Sequence, residues 1–342
     1  MVAVLTLTAP FLEVCNATSP EKEGAMPSVG VLVYQQNNPF LALVVDAIKA
    51  TLEGKVNVEV FYAESDQTTQ NEQLAHLLAE KVDGIILNIV TSSATEHLLD
   101  AIKKANIPVV FFHREPTLKT LKHYPKARYV GTTVADAGTL QGDIIKELWE
   151  QHPEYDRNKD GKFQYVMIQS SLDSHESLAR TIHSIKRARE NGVAMQQVGE
   201  TLFCSWDEEA AYEAMQRLYP VVSDSVECII ANNDTMALGA IRALNIFGYN
   251  REGGRPDKFF PVIGVDAIKP AIDAIEKGVM SASVTQDDEA IGFAAATILL
   301  NMLDKKDELA GLPFSWDKSG IAVRIPYSKY VISPLSTGQG PQ

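Results

Sequence analysis

Short apolar runs and amphipathic helical stretches alternate along this chain from Val29 onward, and the alternation completes two rounds. In the first, the patterning predicts strands at Val29–Tyr34, Val56–Tyr62, Gly84–Val90, Val109–His113 and Tyr129–Thr132. Helices at Phe40–Leu52, Gln70–Glu80 and Thr95–Lys104 fall between them. Strands that are apolar along their whole length belong to parallel sheets covered on both faces, and strands interleaved with helices wind into an open sheet. The second round predicts strands at Phe163–Gln169, Val198–Cys204, Cys228–Ala231 and Val262–Val265, with helices at His175–Glu190, Asp207–Leu218, Asp234–Phe247 and Ala267–Lys277. A helix at Glu289–Leu303 and an extended segment at Ile321–Pro326 follow. The expected fold class is therefore α/β, with two doubly wound Rossmann-like lobes, and 342 residues suit two lobes better than one. No Gly/Ser linker parts the rounds: a helix at Asp136–Trp149 runs directly on, so the lobes are expected to share several crossovers.

Charge narrows the partners. Lys and Arg total 31 against 44 Asp and Glu, for a net charge of −13, which argues against nucleic acid, whose backbone needs clustered positive charge. Cys204 and Cys228 both sit in apolar strand runs, where buried free thiols are common; a disulfide between them is the alternative an exported protein permits. Residues 1–27 read as an export or tether segment. Apolar Val2–Leu12 precedes Cys15, which would be the lipid-attachment residue of a membrane-anchored exported protein. Against that, no Lys or Arg precedes Cys15, and Glu13 and Val14 stand where small residues are wanted, so a misplaced start or flexible tether remains the alternative.

Ligands of open α/β sheets bind beyond the carboxyl ends of the strands. Those ends carry Tyr34, Asn88, His113, Asn233 with Asp234, and Asp266, while Phe40 and Trp206 lie just past strand ends. Asn and Asp both bond hydroxyls, and flat aromatic faces cover the C–H face of a sugar ring. The bland alternative is that each Asn or Asp merely caps a helix.

The sharpest local pattern is Asp156-Arg-Asn158-Lys-Asp160-Gly161-Lys162-Phe-Gln164. Oxygen side chains at alternating positions with Gly sixth match an EF-hand calcium loop; the seventh ligand would be the Lys162 carbonyl, with Gln164 ninth. Met167 stands where the closing Glu belongs, and the loop runs into a strand, so a remote acid must complete the shell. Glu227, beside the Cys228–Ala231 strand, is the candidate, and the site would be structural; the alternative is an Asx-rich turn that binds nothing.

With Pro108-Val-Val-Phe-Phe-His-Arg-Glu-Pro116, Tyr129-Val-Gly-Thr132, Gln141-Gly-Asp143, Ile230-Ala-Asn-Asn-Asp234, Gly264-Val-Asp-Ala267 and Val323-Arg-Ile-Pro-Tyr327, the chain resembles the galactose/glucose-binding family of type I periplasmic sugar receptors over about Val29–Tyr330. The resemblance implies calcium at the loop and ring stacking by Phe40 and Trp206. It further implies polar sugar contacts from Tyr34, Asn88, Arg180, Asn233 and Asp266. Four positions depart from the family pattern. Asn38 and Glu176 each replace an aspartate, Ser174 replaces a histidine with His175 adjacent, and Gln286 replaces an asparagine. The resemblance also implies a three-segment hinge near Tyr129–Thr133, Gln286–Asp288 and Ile321–Arg324, dividing the chain into a first lobe of 28–131 with 288–321 and a second of 132–287 with 322–335, then a tail at 336–342. It implies a monomeric periplasmic receptor that closes on a monosaccharide, D-glucose or D-galactose first, and delivers it to the membrane permease of an ABC importer. In some relatives the closed form also engages a chemoreceptor.

Other classes fit less well. A sensor without transport, or a receptor for another pentose or hexose, stays open. No phosphate loop, nucleophile elbow or zinc-protease motif supports an enzyme. A sugar-responsive repressor would need a basic DNA-binding domain ahead of Val29, where residues 1–27 hold Lys22 and no Arg.

Overall fold

The computed structural model describes residues 26–332, so Cys15, the tether and the 336–342 tail lie outside the described residues. The first sheet takes β1 (Ser28–Val33), β2 (Asn57–Tyr62), β3 (Gly84–Leu87), β4 (Val109–Phe112) and β5 (Ala127–Gly131). Its helices are α1 (Pro39–Leu52), α2 (Gln67–Ala79), α3 (Thr95–Ala105) and α4 (Leu118–Lys122). After α5 (Val134–Gln151) the second sheet begins with β6 (Phe163–Gln169), α6 (His175–Glu190), β7 (Met195–Gln197) and β8 (Leu202–Phe203). It continues through α7 (Glu208–Val222), β9 (Cys228–Ala231), α8 (Asp234–Ile246), β10 (Val262–Ile263), α9 (Lys269–Glu276) and β11 (Ala282–Thr285). Then α10 (Asp288–Leu303) packs beside α1, β12 (Ala322–Arg324) joins the first sheet and β13 (Ser328–Val331) the second.

The sheets run β12-β5-β4-β3-β1-β2 and β13-β11-β10-β9-β6-β7, with β8 also paired to β6. All pairings are parallel except β13 against β11. In each sheet the strand order reverses around one strand, β1 in the first and β6 in the second, and ligands of such sheets bind at that reversal. Every residue of β3, β4, β6 and β9 is buried; β3, β4 and β9 carry no polar side chain, and β6 buries Gln164 and Gln169 among its apolar residues. Among the described residues the chain passes between the sheets three times: from β5 to α5, from β11 to α10, and from β12 to β13.

Several elements differ from the sequence expectation. Of the strand expected at Val198–Cys204 only β8 forms, because Gly199 turns the backbone to φ +69°, and the three-residue β7, which the sequence reading did not expect, pairs with β6 just ahead of that turn. Helix α2 starts earlier than expected, where Asp66 caps the Thr69 amide at 2.6 Å, and α7 runs on through Pro220. The sequence reading omitted α4, β11 and β13, whose four or five residues are too short to show a period. Cys204 and Cys228 are free buried thiols; burial raises both, Cys204 to about 11, and no disulfide joins them.

Helix contacts fix the site from behind. Gly138 and Gly142 let α5 lie directly on α6: a Cβ at Gly138 would sit 2.8 Å from the Arg180 carbonyl, and one at Gly142 would sit 2.7 Å from that of Ser184. Any larger residue would push α6, and Arg180 with it, out of place.

Candidate functional site

The two reversal points face each other across a cleft whose deepest part is a small pocket of about 20 Å³. From the first lobe come Tyr34, Asn38, Phe40, His113 and Arg114. Asn38 caps α1 by accepting from the Leu41 amide at 3.0 Å, and its Nδ2 donates to the Tyr34 hydroxyl at 3.3 Å. Phe40, in the first turn of that helix, is buried against the His113 ring with centroids 5.3 Å apart. Arg114 lies with its guanidinium carbon 3.6 Å from the Tyr34 ring centroid and donates to the Val90 carbonyl at 2.6 Å.

From the second lobe come Glu176, Arg180, Trp206, Asn233 and Asp266. Asn233 caps α8 through the Met236 amide, so the capping role and a place in the pocket coexist in one residue. Trp206 follows Ser205 in a left-handed turn, φ +66°, that carries the indole past the end of β8. Arg180, 3% exposed, sits 3.5 Å from Asp266 and donates to the Asn232 carbonyl at 2.7 Å, to Gln286 Oε1 at 3.1 Å and to the Tyr327 hydroxyl at 3.4 Å.

Burial sets the charge states. It pushes Asp266 up to about 6, although the Arg180 guanidinium pulls the other way. Burial also drives His113 down to about 4, opposed by Glu176 and assisted by Arg180 and Arg114, so the imidazole is neutral near pH 7. Glu176 is pushed up by burial too, but His113, Arg114, its own amide and the Ser174 hydroxyl outweigh that and hold it below the usual carboxylate range. The result is a compact ring of acceptors and donors between two aromatic faces. Such a ring bonds neighbouring hydroxyls and covers an apolar ring face.

Asn88, Gln286 and His175, singled out from the sequence, do not line this pocket, nor does Asp234, whose buried carboxyl accepts from the Ser283 hydroxyl at 2.7 Å. Asn88 ties strand ends together, accepting from the Tyr34 amide at 3.4 Å and donating to the Phe112 carbonyl at 3.0 Å. Gln286, buried at the second crossing, holds Arg180 from behind. His175 lies further out, in a second chamber of about 360 Å³ at the cleft mouth. Ser174 caps α6 and donates to Glu176 at 2.9 Å. The imidazole in the pocket is instead His113, from the opposite lobe, with its buried Nδ1 unpartnered. His113 was visible as a strand-end residue; Arg114 carried no such signal, because its neighbour marked the strand end.

The Asp156–Gln164 loop folds back on its own amides. Asp156 accepts from Asp160 and Gly161, Asn158 from Asp160, and Asp160 from Lys162. Glu227 reaches it from just before β9, the strand beside β6, accepting from the Arg157 amide at 2.6 Å and the Gln164 amide at 3.1 Å. Burial raises the Glu227 carboxyl, and Asp156 adds to that. Gln164, 2% exposed, leaves its Oε1 without a partner. The Lys162 ammonium, half-exposed, lies 3.8 Å from an Asp160 oxygen. Among the described residues no three His, Cys, Asp or Glu side chains gather closely enough to hold a metal by themselves, so a cation here would need Asn158, Gln164 and the Lys162 carbonyl as well.

Residues 29–307 match the periplasmic binding protein domain. The chain belongs to the periplasmic binding protein family. Among relatives of this periplasmic binding protein, the D-galactose/methyl-galactoside binding periplasmic protein of Haemophilus influenzae is 32% identical over 305 residues, covering 87% of this chain and 88% of its own. In fold it is similar to an ABC transporter solute binding protein from Bacillus halodurans solved with myo-inositol, with TM-score 0.73 and 20% identity over 91% of this chain and 96% of that one. A solute binding protein from Actinobacillus succinogenes, solved with D-allose, has the same TM-score and identity over 89% of this chain and 97% of that one.

Proposed function

We propose that this chain is the substrate-binding component of an ABC sugar importer: its lobes close on a monosaccharide in the periplasm, and the closed form delivers it to a membrane permease. The observation that carries the reading is the cleft, where Phe40 of one lobe and Trp206 of the other meet Asn38, His113, Glu176, Arg180, Asn233 and Asp266, and where the adjoining chamber of about 360 Å³ gives a hexose ring room. Family membership accords with binding rather than catalysis. D-galactose or D-glucose is the first candidate ligand. Support comes from the galactoside-binding relative and from Glu176, whose carboxylate gives hydroxyls an acceptor where the family places an aspartate. The D-allose and myo-inositol bound by the fold neighbours put other hexoses and cyclic polyols in the same test.

The Asp156–Gln164 loop, we further propose, is a structural calcium site. The unpartnered Gln164 Oε1 suits a cation, since a buried amide oxygen without a donor is costly unless something positive faces it. Asp156, Asn158, Asp160, Gln164, Glu227 and the Lys162 carbonyl would hold the ion, which would bind the start of β6 to the start of β9. The Lys162 ammonium is half-exposed and free to leave Asp160.

Calorimetric titration with D-galactose, D-glucose, D-allose and myo-inositol tests the reading. Saturable 1:1 binding of at least one supports it; heat of dilution alone with every one sinks it.

A further inference from the structure

We infer that Arg324 is a positioning residue for sugar binding: from the hinge it holds the turn that presents His113 to the cleft, while lining neither chamber itself. This rests on the sugar-receptor reading and deepens it, because the same site gains a support that lies behind the pocket.

The turn needs support. His113 adopts φ +60°, in the left-handed region that residues other than glycine populate sparsely. Such a conformation persists where the surroundings over-determine it. Here it carries the imidazole off the end of β4 and against Phe40. Two backbone bonds pin the residue: its amide donates to the Val130 carbonyl at 3.0 Å, and its carbonyl accepts from the Tyr129 hydroxyl at 2.8 Å.

Arg324 backs this turn by two routes. Its guanidinium carbon lies 5.0 Å from the centroid of the Tyr129 ring whose hydroxyl holds the His113 carbonyl. It also forks onto Glu115, two residues past His113, with both of its terminal nitrogens donating to that carboxylate. The guanidinium is itself fixed, donating to Asp317 at 3.0 Å and to the Thr132 carbonyl at 3.0 Å. Arg324 and Glu115 are both largely buried, at 28% and 23% exposed, so water screens the fork less than it would a surface pair. Thr132 stands at the first crossing and Arg324 ends β12, where the third begins, so the support for a pocket residue sits in the hinge. Arg114 has anchors of its own in the Tyr34 ring and the Val90 carbonyl. The side chain that depends on this support is therefore His113.

The test is calorimetry on the full chain with whichever of D-galactose, D-glucose, D-allose and myo-inositol the wild type binds best. Arg324→Lys keeps the charge and loses the planar fork. Glu115→Gln acts from the other end and leaves Arg324 its Asp317 and Thr132 partners. Each should weaken binding about fivefold to thirtyfold. A merely structural role is separated by a His113→Ala background, in which Glu115→Gln should cost less than about twofold because the side chain it positions is gone. Affinity within about twofold of wild type for Arg324→Lys or Glu115→Gln overturns the inference. So does a loss on Glu115→Gln that is equal with and without the His113 side chain. Both of those results spare the sugar-receptor reading. A wild type that binds none of the four overturns both.

Discussion

Asp266 pairs with Arg180 at 3.5 Å while burial holds its carboxyl up to about 6, with Asp288 adding to the rise. As an ionised acceptor it would bond ligand hydroxyls best above that value. As pH falls from 7 to 5 the carboxyl protonates, and sugar affinity should weaken about tenfold; Asp266→Asn should bind more weakly and lose this dependence. The sign for the unliganded fold is opposite. A folded value above that of an ordinary aspartate means the native state binds the proton more tightly, so this residue's contribution favours folding as pH falls through 6. Titrations at both pH values on wild type and variant separate the two effects. Trp206 is the other residue on which affinity should turn. Trp206→Ala should cost about 2–3 kcal/mol of binding, roughly a hundredfold, with the circular dichroism spectrum unchanged. Sequence made Trp206 and Asp266 legible because both stand just past strand ends. Asn88 stands there too, yet its side chain is consumed by Tyr34 and Phe112, and no local pattern distinguishes a strand-end amide that faces a cleft from one that staples a sheet.

At the scale of elements, the three crossings converge on one guanidinium. Gln286 at the second crossing and Tyr327 at the third both accept from Arg180, and Thr132 at the first donates to the Tyr327 hydroxyl at 2.9 Å. Tyr327→Phe removes the hydroxyl on which two crossings meet and should alter sugar dissociation rate more than association rate, measured by stopped-flow Trp fluorescence. The loop before β6 yields a separate prediction. A native-state ligand at roughly a hundred times its dissociation constant adds about 2.7 kcal/mol, so chelation of calcium should lower the melting temperature by on the order of 5 °C. Glu227→Gln should melt lower and not respond to chelator; a wild type indifferent to chelator would remove the metal from the account. The strands and helices with full apolar periods were readable in the sequence. β11 and β13 were not, because four residues that depend on pairing with each other show no period of their own.

At the scale of the molecule, both sheets reverse strand order at the cleft, and among the described residues the chain links the lobes through three short crossings. This is the architecture of hinge closure, in which ligand shifts an open–closed equilibrium by bridging the lobes. The two-lobed plan followed from the doubled rhythm. Which lobe supplies the pocket imidazole did not, since it depends on how the lobes face each other. Small-angle X-ray scattering of the full chain, with and without the best-binding monosaccharide from calorimetry at saturation, tests the account most directly. The account predicts a smaller radius of gyration with sugar bound; a saturated protein whose scattering matches the sugar-free protein would contradict it.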